Sequence, residues 1–472
     1  MTDTLVSATG RFVRSPGFKF FTLGVLSLVL LIPASLVWLL VSEREDRARD
    51  VADEIAGIWG GAQALTGPFI VVPYEVEVTT LEDERESVRT VRREAVFLPE
   101  TLDVSVSARS EVRSRGIFDV PVYAADLTLT GQFGTLSPRS VTADAARFLW
   151  GEARFALGIS SVRAIRNAVV LDINGDTRAF EPSLGTSSAG ALAISQQSSG
   201  RPGTALGQGI HVPGLFSGAP EPFEFTINLE LNGSRALHIA PAARDTRATI
   251  TSDWPHPSFT GSALPSSSEI STDGFGASWQ VPHLGRSVPL AFTLTGNGFL
   301  QQLAHDQFGV RFFQPVDYYA SVDRALKYAI VFIGVVFMAV FVMEVRTGRA
   351  VHVVQYVFVG LALVLFYILL LSIAEHLGFA PAYVIAASAT ATLIGAYCAQ
   401  SLGGVRHGLV VAALLGSVFG VLYLFLQLED FALLAGSVFA FAVLALTMFS
   451  TQSIDWSGGI KSKTADASHT RP

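Results

Sequence analysis

The sequence predicts an integral membrane protein with six transmembrane α-helices, one N-terminal and five C-terminal, and a large, mostly antiparallel β domain between them. Two apolar regions indicate the helices: a run at 20–41, and successive apolar segments with short polar joints across 328–450. A spanning helix needs roughly 20 mostly apolar residues, and the second region holds enough for five. Between the two regions, apolar and polar residues alternate, which is typical of half-buried strands.

The composition fits a chain that is part membrane segment and part soluble domain. Of 472 residues, 50% are hydrophobic and 15% are charged, and the net charge is only −7. Neither a basic stripe nor a nucleic-acid-binding motif is present, so nucleic acid is not expected as a partner. The single cysteine, Cys398, lies in an apolar segment and is predicted to pack as a small apolar side chain.

The N-terminal region predicts an uncleaved membrane anchor. Residues 1–19 are basic and are predicted to be cytoplasmic, and 20–41 form the first span. This run is longer than the 7–15 apolar residues of a signal peptide and ends in a poor cleavage site. Residues 42–66 are predicted to continue as a juxtamembrane amphipathic helix. Its stripe, which would dock on the following domain, consists of Val51, Ile55, Ile58 and Trp59.

Residues 67–315 are predicted to form the β domain, and a sandwich is the arrangement that such a domain favours. The alternating strand Phe223–Leu231 precedes Asn232-Gly233, and Asn174-Gly175 repeats that signal, so two tight hairpins are predicted. The pair fits an internal duplication or two unrelated hairpins. A helical pattern is suggested around 145–165, and 185–209 is predicted to be a flexible loop because it is rich in Ser and Gly. Further strand candidates are 69–78, 102–108, 127–133, 248–251 and 292–295.

The C-terminal spans are predicted with alternating orientation. Basic joints are expected in the cytoplasm and acidic joints outside, which places both termini in the cytoplasm and residues from about 42 to 324 in the periplasm. The chain ends in a cytoplasmic tail, 451–472. The five spans are 325–343, 354–373, 383–400, 409–426 and 431–450.

Two features of these spans bear on function. No Asp, Glu, Lys or Arg lies at the centre of a span, which argues against an ion-coupled transporter or a proton pump. Gly416 and Gly420 in the fifth span and Gly436 and Ala440 in the sixth are small residues four apart, so these two spans are predicted to pack as a tight hairpin.

Charged residues gather at the predicted outer ends of the helices. They have two interpretations: helix ends that are simply solvated, or a polar latch that holds the β domain on the helices through ion pairs near a low-dielectric boundary. The candidate latch residues are Asp317, Arg324, Lys327, Glu375, His376, Glu429 and Asp430.

No catalytic motif is recognisable. Phosphate-binding loops, His-Glu-x-x-His and Gly-x-Ser-x-Gly are missing from the sequence, and the histidines lack metal-ligand spacing. We therefore predict no catalytic residue, no metal and no cofactor. Trp254-Pro255-His256-Pro257 is predicted to be a structured turn, with a ligand contact as the alternative.

Several stretches resemble the CreD-like family of inner-membrane proteins. The resemblance covers about 51–456 and implies an inner-membrane location and a role in cell envelope integrity and colicin tolerance. It implies no catalytic residue and no cofactor. The matching stretches include Thr66–Tyr74, Arg115–Tyr123, Ser252–Phe259, Gln314–Tyr319, Glu375-His376 and Leu426–Asp430.

Three functions are compatible with these features. The first is a non-enzymatic envelope protein whose β domain binds an envelope protein or a lipid. The second is a transporter or exporter of an apolar or amphipathic compound. The third is a membrane enzyme acting on lipid-linked substrates, with Glu375, His376, Glu429 and Asp430 as acid–base groups.

Overall fold

The chain folds into a helical unit and a β unit. The helical unit comprises Met1–Arg47 and Val316–Pro472, and the β unit comprises Ala48–Pro315. The computed structural model describes residues 16–82, 85–142, 146–184, 208–285, 288–294, 302–303, 305–312, 318–347, 349–427 and 432–452.

The β unit contains two sheets. In the ten-stranded sheet the main path is β14-β18-β12-β1-β6-β10-β9, while β2 and β5 also pair with β1, and β17 pairs with β2. The eight-stranded sheet has the order β15-β16-β13-β3-β4-β11-β7-β8. Neighbours are antiparallel except β1 with β12 and β3 with β13. The strands are β1 Gln63–Glu82, β2 Arg85–Phe97, β3 Thr101–Arg115, β4 Phe118–Phe133, β5 Ala146–Phe148, β6 Arg154–Ile159, β7 Val170–Ile173, β8 Asp176–Ala179, β9 Glu181–Pro182, β10 Gly209–Pro213, β11 Phe223–Ser234, β12 Ala236–Ile239, β13 Asp245–Ser252, β14 Pro257–Gly261, β15 Ser267–Ser271, β16 Gly274–Val281, β17 Ala291–Thr293 and β18 Phe308–Phe312.

The two sheets pack face to face around an aromatic core. Along β13 and the first nine residues of β3, buried residues alternate with residues that are not buried, so each strand turns one face inward there. Phe155 of the ten-stranded sheet lies 5.8 Å from Phe133 and 5.5 Å from Phe225 of the other sheet, measured between ring centroids. Trp279 and Phe308 meet across the same interface at 5.6 Å. Burying each such ring stabilises the fold by about 2–3 kcal/mol, and the arrangement is a β-sandwich.

The predicted hairpin at Asn232-Gly233 is wrong. β11 continues through both residues to Ser234 and stays paired with β4. The chain then crosses to the other sheet at Arg235, whose φ is 63°, and resumes as β12. Gly233 does not make a turn. It lets the ring of Tyr123 approach the backbone closely, because a Cβ there would lie 2.3 Å from that ring.

The predicted hairpin at Asn174-Gly175 is confirmed. It joins β7 to β8, and both residues have positive φ, 50° and 93°. Since only one of the two Asn-Gly pairs forms a hairpin, the pair no longer supports an internal duplication.

The helical pattern suggested at 145–165 is also wrong. The described part of this stretch contains β5, β6 and two short 3-10 turns. β6 is buried on both faces, and such a strand has a continuous apolar run that periodicity does not distinguish from a helix. Of the predicted loop 185–209, residues 185–207 lie outside the described residues, and Gly209 already belongs to β10.

The helical unit contains apolar helices that are long enough to cross a membrane. The 17–59 segment, α5, α6 and α7 qualify individually, and a fifth span results if α3 and α4, which are bent by 52° at Tyr328, are taken as one. The predicted second span, 325–343, is therefore broken near its start and runs on to Thr347. The helices are α1 Pro16–Val29, α2 Leu31–Trp59, α3 Tyr318–Lys327, α4 Ala329–Thr347, α5 Val353–Leu377, α6 Phe379–Ser401, α7 Val405–Gln427 and α8 Ala432–Thr451.

The segment 42–66 continues the helix of the first span, as predicted, but only as far as Trp59. It is the second half of α2, which ends at Trp59 before two glycines with positive φ, and β1 begins at Gln63. Ile58, expected to dock, is 78% exposed. Trp59, which also belongs to the predicted stripe, does dock: its Nε1 donates to the Tyr123 carbonyl at 3.2 Å, and Arg113 stacks on its ring.

Two ion pairs hold the same end of α2 on the sandwich. Asp53 pairs with Arg235 at 2.5 Å, and Glu54 pairs with Arg115 at 2.6 Å. All four side chains are about half exposed or more, so water screens both pairs and each adds little stability. Packing of Trp59 therefore dominates the docking, and the ion pairs orient it.

The structure shows a close glycine-lined helix contact at a different place from the predicted one. A Cβ at Gly416 or Gly420 would have no described atom within 4 Å. At Gly408, by contrast, a Cβ would lie 2.5 Å from the Gly395 carbonyl and 2.5 Å from Ala399. The tight hairpin is therefore α6–α7, the fourth and fifth predicted spans, because glycines there face each other.

The chain enters and leaves the β unit at the same end of the sandwich. Trp59 and Phe312 mark this end, since Trp59 contacts Tyr123 and Phe312 stacks on the Tyr123 ring at 4.7 Å. At the opposite end of the sandwich, β16 ends at Val281 and β15 begins. There Leu264 and Leu284 are 77% and 86% exposed. We call these two leucines the apolar tip.

Candidate functional sites in the helical unit

The structure brings together some of the predicted latch residues with partners that the prediction did not include. Lys327 pairs with Asp323 at 2.7 Å, and Glu375 accepts a hydrogen bond from the Tyr319 hydroxyl at 3.2 Å. Arg324 donates to Ser321 Oγ at 3.3 Å, and His376 is exposed. Asp317, Glu429 and Asp430 lie outside the described residues.

These contacts centre on α3, which is a short amphipathic helix. Asp323 accepts from Trp38 Nε1 at 2.8 Å as well as from Lys327, so α3 is joined to α2. The Tyr319–Glu375 hydrogen bond joins α3 to the end of α5. We call Trp38, Tyr319, Asp323, Lys327 and Glu375 the α3 collar. The collar connects helices of one unit, and a latch onto the β domain stays a prediction.

A second polar cluster lies at the other end of these helices. Lys19 of α1 forms an ion pair with Glu344 of α4, and its Nζ also donates to the Val351 carbonyl at 2.6 Å. The second carboxylate oxygen of Glu344 accepts from the Tyr356 hydroxyl of α5 at 2.8 Å. The Lys19 ammonium also lies 5.6 Å from the centre of the Tyr356 ring. Lys19, Glu344 and Tyr356 form the ion-pair cluster.

The ion-pair cluster is largely shielded from water. The Glu344 side chain is 10% exposed, that of Lys19 is 20% exposed, and Tyr356 is fully buried. A buried charge is costly unless it is paired and hydrogen-bonded, and here each oxygen of Glu344 has a partner. The cluster can therefore hold α1 against α4 and α5.

Sequence reasoning missed this cluster because both charges fell just outside the predicted spans. Lys19 precedes the predicted first span by one residue, and Glu344 follows the predicted second span by one. Lys19 was interpreted as part of the basic, cytoplasmic N-terminal segment, and Glu344 was given no role. One signal was present, since Glu344 is an acid beside a joint whose other charges are Arg346 and Arg349, contrary to the expected basic pattern.

His238 makes a shielded titratable contact in the β unit. His238 of β12 and Thr260 of β14 lie on either side of Gly309, and His238 Nε2 is 3.0 Å from Thr260 Oγ1. Burial lowers the pKa of His238, and Arg311 adds to this by charge repulsion. In the described part of the chain, no group of three or more His, Cys, Asp or Glu could hold a metal ion.

The Trp254–Pro257 stretch forms a structured turn. Trp254 Nε1 donates to the His256 carbonyl at 3.2 Å. Just before it, Asp253 Oδ1 accepts from both the backbone N–H and the hydroxyl of Ser110, at 2.7 and 2.6 Å. These bonds explain the stretch without a ligand.

Fold and clusters together define a multi-pass membrane protein that carries a β-sandwich between its N-terminal helix and its C-terminal helices. Residues 15–457 match the family model described as "Inner membrane protein CreD". The chain is 34% identical over 451 residues to Inner membrane protein CreD of Escherichia coli (strain K12), and the alignment covers 94% of each chain. The chain belongs to the CreD family of inner membrane proteins, and the resemblance seen in the sequence is confirmed.

Proposed function

We propose that this protein is a non-enzymatic inner-membrane protein that supports cell envelope integrity, and that its sandwich binds an envelope protein or lipid in the periplasm. We also propose six spans, with α3–α4 counted as one and α8 as the last, and both termini in the cytoplasm. The alternation of basic and acidic joints supports this orientation.

One observation carries the binding proposal. The chain enters and leaves the sandwich at one end, and the apolar tip lies at the other end of the same unit. Single exposed leucines are common, but two that are both more than three-quarters exposed at one end of a sandwich are suited to contact a partner. An envelope partner is consistent with the inner-membrane family.

Site-specific photocrosslinking in living cells tests this function. A photoreactive amino acid replaces Leu264 or Leu284 in the full chain, and the same replacement at Ile58 is the matched control, since Ile58 is equally exposed but lies at the attached end. We expect a reproducible crosslink to an envelope component from the apolar tip alone. Equal crosslinking from Ile58, or no adduct from either leucine with intact protein, contradicts the proposal.

A second experiment links binding to the envelope. Leu264→Glu with Leu284→Glu places two charges on the apolar tip, and it should leave the level of folded protein unchanged because neither side chain is in the core. We expect cells carrying this variant to be as sensitive to detergent and osmotic stress as cells lacking the protein. Normal resistance of the variant cells contradicts a role of the tip.

One observation favours the transporter alternative. The buried Lys19–Glu344 pair is of the kind that marks ion or proton pathways in membrane proteins. Flux of a pH-sensitive dye across proteoliposomes tests it, with Glu344→Gln as the comparison. Proton movement that depends on Glu344 would favour transport over the envelope-binding function.

A further inference from the structure

Two joints of the helical unit lie side by side at one end of the bundle. Gln355 Nε2, at the start of α5, donates to Ser401 Oγ, at the end of α6, at 3.0 Å. A Cβ at Gly403 would overlap the guanidinium of Arg349, so that side chain lies directly on the glycine, whose φ is +67°. These contacts bring the α4–α5 joint against the α6–α7 joint.

The paired joints are basic and have no acid of their own. The stretches 349–355 and 401–407 contain four basic residues and no Asp or Glu. We call these four the basic rim: Arg349, His352, Arg406 and His407.

The charge of the basic rim is not neutralised by the part of the chain that the structure describes. Arg349 and Arg406 form no ion pair there, and both are exposed. His407 Nδ1 is buried and has no hydrogen-bond partner among the described atoms. Glu344, the acid that precedes the joint, is already occupied by Lys19 and Tyr356. The rim therefore presents two guanidinium groups that are available to an external anion.

The depth of the rim suggests which anion it meets. α5 begins at Val353, α6 ends at Ser401 and α7 begins at Val405, and all three helices are long and apolar enough to cross a membrane. Residues at the ends of spanning helices lie at the level of the lipid headgroups. Basic pockets between such helices bind anionic headgroups, and the positive end of the α7 dipole adds to the attraction.

We infer that the basic rim binds the phosphate of an anionic phospholipid headgroup. A guanidinium presents paired donors that match phosphate oxygens. The contact of Arg349 with Gly403 fixes one donor group beside the joint that carries Arg406 and His407. The inference does not depend on the proposed envelope function, because it concerns other residues and another unit.

Full-length protein in lipid nanodiscs tests the inference. The midpoint of thermal unfolding is compared in phosphatidylcholine alone and in phosphatidylcholine with phosphatidylglycerol, and bound lipid is counted by native mass spectrometry. We expect phosphatidylglycerol to raise the midpoint and to be retained. In the double variant Arg349→Gln with Arg406→Gln, retention of phosphatidylglycerol should fall about 25-fold. The reason is that each arginine near a membrane surface contributes about fivefold to the affinity for anionic lipid.

The control variant makes the same change of charge elsewhere. Arg163→Gln with Arg166→Gln removes two exposed arginines from the β unit and should retain lipid like the parent. If the double rim variant does not fold in phosphatidylcholine, the single variants Arg349→Gln and Arg406→Gln replace it, each with about a fivefold loss.

Three results would each overturn the inference. The first is a parent protein with no preference for phosphatidylglycerol. The second is rim variants that still retain this lipid, and the third is a β-unit control that loses it to the same extent. Inorganic phosphate in phosphatidylcholine nanodiscs separates the sources of the phosphate group. If it raises the midpoint as much as the lipid does, the rim binds a soluble phosphate and the headgroup assignment is wrong.

Discussion

Lys19 and Glu344 are 325 positions apart in the chain, and their pairing joins the N-terminal helix to the C-terminal helices. Glu344→Gln should lower stability by about 2–3 kcal/mol. The reason is that loss of one partner of a fully buried pair costs about 3–5 kcal/mol, and Lys19 keeps some access to water. Thermal unfolding of the purified protein in one detergent measures the effect.

A double-mutant cycle separates the pair from its surroundings. Lys19→Met combined with Glu344→Leu removes both charges and should be closer in stability to the parent than either single variant. If the effects of the two single changes simply add, the two side chains are not coupled and the pair does not hold α1.

His238 gives the β unit a defined response to acid. Its pKa is lowered in the folded state, while the unfolded chain has a histidine pKa of about 6.5. Below that value the unfolded state binds a proton that the folded state resists, so stability should fall as pH drops through 6.5 and be fully present above it. His238→Gln should reduce this loss, measured as the unfolding midpoint between pH 7.5 and pH 5.

Deuterium exchange at imidazole Cε1, followed by mass spectrometry against pH, gives the pKa of His238 directly. A value at or above about 6.5 would disprove the effect.

Among the helices, the α6–α7 hairpin depends on the absence of side chains at two positions. A Cβ at Gly395 would lie 2.8 Å from Ala412, and one at Gly408 would lie 2.5 Å from the Gly395 carbonyl. Gly408→Val should therefore destabilise the bundle by about 1–3 kcal/mol through overpacking. The unfolding midpoint in detergent measures the loss.

Gly416→Val and Gly420→Val are matched controls on the same helix, because the described atoms leave both positions open. Both should unfold within a degree or two of the parent. A loss at Gly416 equal to that at Gly408 would mean that the fifth and sixth predicted spans pack tightly after all.

Regular elements of this chain were predictable where one physical pattern acts alone. Alternation along 223–231 predicts β11, and continuous apolar sequence predicts α5, α6 and α7. The sheet crossing at Arg235 was not predictable, because Asn-Gly usually makes a turn and here the glycine is required by a ring from another strand. The Lys19–Glu344 pair was not predictable either, since one sequence holds no record of which distant residues meet.

At the scale of the whole molecule, the proposed orientation in the membrane can be tested directly by cysteine labelling. Cys398 is the single cysteine and is buried, so Cys398→Ala gives a background for new cysteines. In spheroplasts, a membrane-impermeant maleimide should label L284C in the β unit and should not label R406C until the membrane is broken. The reverse pattern would place the sandwich in the cytoplasm.

The positions of the first and last strands of the sandwich determine how it responds to force. β1 begins beside Leu237 of β12, and β18 ends beside Ala236 of the same strand, so β12 alone separates the two points of attachment. Two strand spacings are about 10 Å. A load that pulls these points apart acts across the strands and breaks their hydrogen bonds one after another, in the manner of a zipper. A lateral load applied at the start of β1 and the end of β18 would therefore be borne by the hydrogen bonds on the two sides of β12.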